Sequence, residues 1–291
     1  MEDILSFRPM TTDDVDAAYE LVSHAFARDR EEILRRTPGE VAHRKDRYRH
    51  FLSTDPAGAW LAEDGEGRLA GVSIALRRGE IWILSLLAVD ESYRGQGVGK
   101  KLLQRAMGYA EGCRGGMIAS STHPAAMRSY ALAGFTLCPT LTARGYVDRR
   151  SLPGRLGVRE GGGENDLRLA AEVDRFVRGA PHGPDLEFLL DSGARMFVYE
   201  AEGERGYALT YKGRPLVLAA RGEKASTALL WEVLANSDPQ REVEISWITA
   251  EQQWAVRVAL AAGLVLEPAG PICIRGELGP LAPYLPNGAF L

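Results

Sequence analysis

Val89-Asp90-Glu91-Ser92-Tyr93-Arg94-Gly95-Gln96-Gly97-Val98-Gly99-Lys100 is the stretch that decides the fold. The apolar run Ile81–Val89 leads into it, and an amphipathic segment with Leu102, Leu103, Ala106 and Met107 leaves it, so the order is strand, glycine turn, helix. Glycines at 95, 97 and 99 let backbone N–H groups approach a ligand, and a helix N-terminus adds about half a positive charge at the same point. The spacing predicts a turn that holds phosphate oxygens. Two well-known phosphate loops do not fit it. The dinucleotide pattern G-x-G-x-x-G needs glycine where Lys100 stands, and G-x-x-x-x-G-K-[ST] needs Ser or Thr where Lys101 stands.

Outward from the turn, Phe7-Arg8-Pro9 reads as a first strand, with Thr11 or Thr12 capping a helix through Val15, Ala18, Leu21, Val22 and Phe26. The charged segment from Arg28 to His50 reads as one or two helices broken near Pro38-Gly39. Ala59–Ala62, the turn Asp64-Gly65-Glu66-Gly67 and Leu69–Leu76 make a hairpin. Met117-Ile118-Ala119 is a short buried strand, and a helix runs from Pro124 to Ala133 before Gly134-Phe135 ends it. Residues 149–165, rich in Gly and Arg, are expected to link a domain of residues 1–148 to a second of residues 166–291. The second part repeats the first: Arg221–Leu230 aligns with Arg94–Leu103, and Val256–Leu264 with Met127–Phe135, at nearly the same separation along the chain. Lys224 and Ser226 stand where the first copy has Gly97 and Gly99, and Ala259 where it has Tyr130.

The pattern Arg94-x-x-Gly97-x-Gly99 after a strand ending in Val89 resembles the acetyl-CoA pyrophosphate loop of the GNAT acyltransferase superfamily, whose order of elements the chain also follows. The likeness covers nearly the whole chain, with its specific motifs between about residues 80 and 136. It implies an α/β fold of two tandem GNAT-like domains, each a twisted mixed β-sheet flanked by helices, the first catalytic and the second degenerate with a docked C-terminal tail. It implies acetyl-CoA as acyl donor, no metal, and a small-molecule amine as acceptor in a cleft shared by the two parts.

Acyl transfer from a thioester to an amine needs a held donor, a neutral amine and a proton for the leaving thiolate. By the resemblance, the amides of Gly95, Gln96, Gly97, Val98, Gly99 and Lys100 would hold the pyrophosphate, and the backbone of Leu87, Ala88 and Val89 the pantetheine arm. Arg94 pairs with a phosphate or lies along the surface by its stem; both remain open. Tyr130 matches the tyrosine that protonates the thiolate, and a tyrosine with pKa near 10 carries its proton at neutral pH. His123, just before that helix, contacts the cofactor, moves a proton or caps the helix. An alkylammonium costs about 4 kcal/mol to deprotonate at pH 7, yet the interior of the central strand is apolar except for Ser85, and Glu80 lies at its start. The Leu291 carboxylate, at the end of the apolar, proline-stiffened segment from Leu281, is a candidate base.

Composition bounds the alternatives. The net charge of −4, with both signs interspersed, offers no basic field for nucleic acid or an anionic membrane. The acidic Met1-Glu2-Asp3-Ile4 lacks the apolar region of a secretory signal, so none is expected, and no apolar run approaches a membrane span. Three widely spaced cysteines, Cys113, Cys138 and Cys273, fit a reducing cytoplasm. A non-catalytic acyl-CoA sensor and acetylation of a protein or peptide amine are the competing functions. The oligomeric state is open.

Overall fold

Ser6–Pro9 (β1) pairs antiparallel with Ala59–Glu63 (β2), and β2 with Leu69–Arg78 (β3); with Ile81–Val89 (β4) the order is β1-β2-β3-β4. The computed structural model describes residues 5–26, 33–34, 36–154 and 156–291. It divides into two compact units: Met1–Arg77 with Trp82–Cys113, and Arg78–Ile81 with Arg114–Leu291. Part of the helical segment expected from Arg28 onward, residues 27–32 and 35, lies outside the described residues.

In the first unit, a capping box between Thr11 and Asp14 opens the turn that precedes helix α1 (Val15–Phe26). A second box between Thr37 and Glu40, with Pro38 in the first turn, starts α2 (Pro38–Thr54) at the expected break. Helix α3 (Val98–Gly108) follows the glycine turn and buries Val98, Leu102, Leu103 and Ala106. Gly71 is what lets α3 lie close to the strands. A Cβ there would stand 2.8 Å from Leu102 Cδ1 and 2.9 Å from the Ala88 carbonyl. Trp82 Nε1 then donates to the Ala106 carbonyl at 2.9 Å, tying the helix to β4.

The second unit contains β5 (Gly115–Ala119), α4 (Pro124–Leu132), β6 (Thr136–Gly145), β7 (Val158–Gly161), α5 (Glu164–Val177) and α6 (Pro184–Asp191). It continues with β8 (Arg195–Ala201), β9 (Glu204–Tyr211), β10 (Arg214–Ala220), α7 (Glu223–Ala235), β11 (Val243–Thr249), α8 (Gln253–Ala261), β12 (Val265–Gly276) and β13 (Tyr284–Leu285). From β7 to β12 the order of strands and helices repeats that from β1 to β6. Within the expected linker 149–165, residues 149–151 form a 3-10 turn and residues 158–161 are β7.

The closing strands are exchanged relative to a simple repeat. β12 lies between β5 and β6, and β6 lies between β12 and β11, all antiparallel. The other sheet runs β13-β10-β9-β8-β7, with Leu285 and Tyr284 opposite Leu218 and Ala219. Its core is supplied largely by α7, which buries Ala225, Leu229, Leu230, Val233 and Leu234; each such large side chain contributes about 1.5–3 kcal/mol on leaving water.

Arg78 and Asp185, 4% and 0% exposed, make two hydrogen bonds of 2.6 Å each. Two desolvated charges offset one another only while both are present. Asp185→Ala is therefore expected to cost about 3–5 kcal/mol in denaturant unfolding, and a loss below about 1 kcal/mol would show that the pair is not structural.

Candidate active site

The glycine turn is held open at its base and free at its tip. Asp90 accepts from Ser92 N at 3.0 Å, and the Tyr93 hydroxyl donates to Asp64 Oδ2 at 2.5 Å, pinning the turn to the β2–β3 hairpin. Asp64 also accepts from the amides of Glu66 and Arg68, each at 2.9 Å, and from Arg68 Nε. The Tyr93 hydrogen bond first, and then the Arg68 amide, hold its carboxyl well below the usual range. Beyond this anchor, Gly95 and Gly97 both sit at φ +80°, a left-handed conformation that side chains disfavour, and a Cβ on either would meet nothing within 4 Å. Among the described residues, the amides of residues 95–100 have no protein acceptor; the next, Lys101 N, closes the helix onto the Gly97 carbonyl at 3.1 Å. The turn thus presents a set of backbone donors without protein acceptors at a helix N-terminus, an arrangement suited to an anion of several oxygens.

The remaining expected cofactor contacts of the first unit adjoin this turn. Arg94 is exposed and its Nε points back to the Val89 carbonyl at 3.4 Å. Ala88 is buried, while Ser85, Leu86, Leu87 and Val89 are half-buried. Ile81–Leu84 are all buried and Ser85–Leu87 all half-buried, so three successive residues of β4 reach a partly open surface.

Tyr130, His123 and Leu291 belong to the second unit. Tyr130 is 5% exposed on α4, and its carbonyl accepts from Phe135 N at 3.1 Å, closing the helix at Gly134. Its hydroxyl bonds to no described residue, yet it is not among the enclosed polar atoms; the ring is buried and the oxygen reaches the surface. Burial first, and then the nearby Cys273, push its pKa well above the usual tyrosine value. Cys273 itself is raised to about 12 by burial and by Cys138. His123 occupies the position before Pro124 but its side chain makes no capping bond, so the capping role is not met; the ring is exposed.

Leu291 is fully buried, with its amide on the Asn287 carbonyl at 2.7 Å and its own oxygen accepting from the buried Arg178 Nη2. An oxygen held by a guanidinium is a poor proton acceptor. Leu291 is thus tied to the buried Arg178 through its oxygen.

Sequence reasoning missed the surroundings of Arg178. Asp174, His182, Tyr207 and Tyr284 are all buried; His182 Nδ1 and Tyr207 Oη each lie 2.7 Å from the Asp174 carboxylate, and Tyr284 Oη lies 3.4 Å from His182 Nε2. Burial keeps His182 neutral, aided by Arg178, whereas Asp174 stays ionised against its burial because His182 and Arg178 hold it. Only scattered single letters mark this network in the sequence, so no motif could have announced it.

The second copy of the turn differs in what fills it. Gly222, at φ +147°, would drive a Cβ to 2.0 Å from the Glu204 side chain, and Glu204 Oε2 accepts from Ala225 N at 2.8 Å. A carboxylate of the chain itself takes the helix N-terminus that in the first copy is left to solvent.

Comparisons with known proteins follow this geometry. Residues 19–135 match the model of the acetyltransferase (GNAT) family. The whole chain overlays a provisional acetyltransferase of Pyrococcus horikoshii at TM-score 0.77 with 18% identity, covering 100% of this chain and 98% of that one. A GCN5-related N-acetyltransferase from Sphaerobacter thermophilus gives TM-score 0.58 at 16% identity, over 94% and 95% of the two chains. A tandem GNAT protein from the clavulanic acid biosynthesis pathway gives 0.57 at 14%, over 94% and 98%. No curated protein sequence matches significantly. No described helix is long and apolar enough to cross a membrane.

Two measurements check the site. Gly97→Val forces a β-branched side chain into φ +80° and is expected to cost about 1–3 kcal/mol of stability and to weaken coenzyme A binding by calorimetry; unchanged affinity would remove the turn from the site. Tyr130, with its pKa raised above the unfolded value of about 10, contributes stability that is fully present below pH 10 and lost as pH rises further. Wild-type stability should therefore fall more steeply above pH 10 than that of Tyr130→Phe, and parallel curves would contradict the shift.

Proposed function

Because residues 19–135 match the model of the GNAT acetyltransferase family, in a chain whose fold overlays GNAT structures over nearly its whole length, we propose that the protein moves the acetyl group of acetyl-CoA to the amine of a small molecule. In this reading residues 1–148 carry the chemistry, residues 166–291 are a degenerate repeat, and 149–165 lie between them. The observation that carries the proposal is the left-handed glycine turn with its unpartnered amides at residues 95–100.

Acetyl-CoA supplies the acyl group as a thioester. The amides of Gly95 to Lys100 hold its pyrophosphate, and their donors are fixed before binding, so little order is lost on association. The backbone of Leu87, Ala88 and Val89, where β4 opens, orients the pantetheine arm. The amine nitrogen bonds to the carbonyl carbon as the carbon–sulfur bond breaks, and Tyr130 gives its proton to the departing sulfur. A buried ring with an accessible hydroxyl suits that role, since its raised pKa keeps the proton in place until a thiolate develops. His123, exposed beside α4, is kept as a cofactor contact. With Leu291 engaged by Arg178, removal of the amine proton falls to water or to the acceptor's own equilibrium in this scheme.

The competing sensor would bind coenzyme A without turnover. Tyr130→Phe is expected to lower kcat for thiol release by about 10²–10⁴ while acetyl-CoA affinity stays within about 3-fold of wild type. Undiminished turnover would remove Tyr130 as the acid, and tight binding with no thiol release over a broad amine panel would favour the sensor.

A further inference from the structure

Strand β12 is not regular along its length. Its pairing with β6 shifts between Ala269, opposite Thr140, and Ile272, opposite Cys138, so Gly270 and Pro271 stand against Pro139 alone. Two residues against one make a β-bulge, and Pro139, which has no N–H, gives up no ladder bond to it. The buried Thr140 hydroxyl donates to the Gly270 carbonyl at 2.8 Å and holds the bulge in place.

The bulge meets the short turn, residues 120–123, that joins β5 to the Tyr130 helix α4. Just past the Ile272–Ala119 pair, Ser120 N donates to the Pro271 carbonyl at 3.0 Å. Ser120 Oγ donates to the Ser121 carbonyl at 2.8 Å, and Ser121 Oγ accepts from His123 N at 3.3 Å, one residue before Pro124 opens the helix. Hydrogen bonds thus lead from β12 to the start of α4, and Gly270 lies against the middle of them. A Cβ at 270 would stand 2.7 Å from the Ser121 carbonyl carbon and closer still to the Ser120 carbonyl oxygen. Both are backbone atoms, which cannot swing aside as the end of a side chain would, so a larger residue displaces the turn.

Tyr130 follows within two helical turns of Pro124, and a turn this short passes its displacement on to the helix. Misplacing a reacting group by about 1 Å costs about 10²-fold in rate. We infer that Gly270 is a positioning residue: the bare backbone of the β12 bulge seats the turn between β5 and α4 and so fixes where the Tyr130 hydroxyl stands. Its effect on rate rests on the acid role proposed for Tyr130; the seating rests on the contacts of Gly270 and Pro271.

Thiol release from acetyl-CoA by the full chain, with the best amine of the panel, tests the role. Gly270→Ala is expected to lower kcat about 10²-fold, while the KM for acetyl-CoA stays within about 3-fold. In a Tyr130→Phe background it should cost nothing further, since two losses of one function do not add. Gly206→Ala serves as the comparison: its Cβ would stand 2.8 Å from the Ala219 carbonyl, between β9 and β10, so it should also lose stability yet keep kcat. Should Gly270→Ala not fold, Thr140→Val, which frees the bulge carbonyl, should lower kcat about 5-fold, and Thr140→Ser should keep it. Wild-type kcat in both Gly270→Ala and Thr140→Val, an equal loss in Gly206→Ala, or a further loss beyond Tyr130→Phe overturns the inference. If Tyr130→Phe turns over like wild type, the acid role falls instead. In that case, or if no amine is turned over, amide hydrogen exchange without substrate decides the seating. Exchange over residues 120–133 about 10-fold faster in Gly270→Ala (or Thr140→Val) than in Gly206→Ala upholds it, and equal rates overturn it.

Discussion

Strand β12 is hydrogen-bonded along both edges, to β5 on one side and β6 on the other, and the second unit is organised around that fact. An exposed strand edge carries a row of unpaired backbone groups that must find partners. The edge of β5 is covered by a strand arriving from the far end of the chain, so β6, which follows the Tyr130 helix, is free to pair with β11. Tyr130 and Cys273 become neighbours only because β12 is inserted there, and the burial that raises both pKa values follows from the same exchange. Residues nearly half a chain apart thus set the acidity of the group to which the proposed mechanism gives the proton.

The two glycine turns show how similar backbone frames reach opposite ends. In the first, Tyr93 and Asp64 fix the base of the turn, and the amides beyond its left-handed glycines find no protein acceptor among the described residues. In the second, Glu204 reaches the start of α7 and consumes a donor. The difference is one of satisfaction rather than shape: a helix N-terminus whose donors are met from within has little left for a ligand. Glycine at 222 is retained for a different reason, the close approach of the Glu204 side chain.

The periodicity of Ile81–Val89, the glycine spacing and the helix that follows were legible because they are local: each is decided by residues within a few positions of one another. The repeat was legible for the same reason, since Arg221–Leu230 and Val256–Leu264 preserve local patterns. What the sequence could not show is long-range. The exchange of β6 and β12 leaves every local pattern unchanged, because an antiparallel strand reads the same beside either neighbour. Strand β7 lay hidden among glycines and arginines in the stretch expected to be a linker. Leu291 read as a chain-end carboxylate, and only the fold brings Arg178 onto its oxygen. His123 stood in a capping position, yet capping depends on a rotamer that sequence does not specify.

Charge compensation separates the two units. In the second, the deeply buried charges are largely answered within the fold: Arg78 has Asp185, Asp174 has His182 and Tyr207, and Arg178 has the Leu291 oxygen and neighbouring carbonyls, although its Nε meets no acceptor. Such a network gains rigidity from the bonds its members make to one another. In the first unit the amides of residues 95–100 are left without acceptors among the described residues. A carboxylate of the chain could have met them, as Glu204 does in the second copy. Donors left unanswered at a helix N-terminus suit an anionic ligand, and the reading proposed for this turn gives them one.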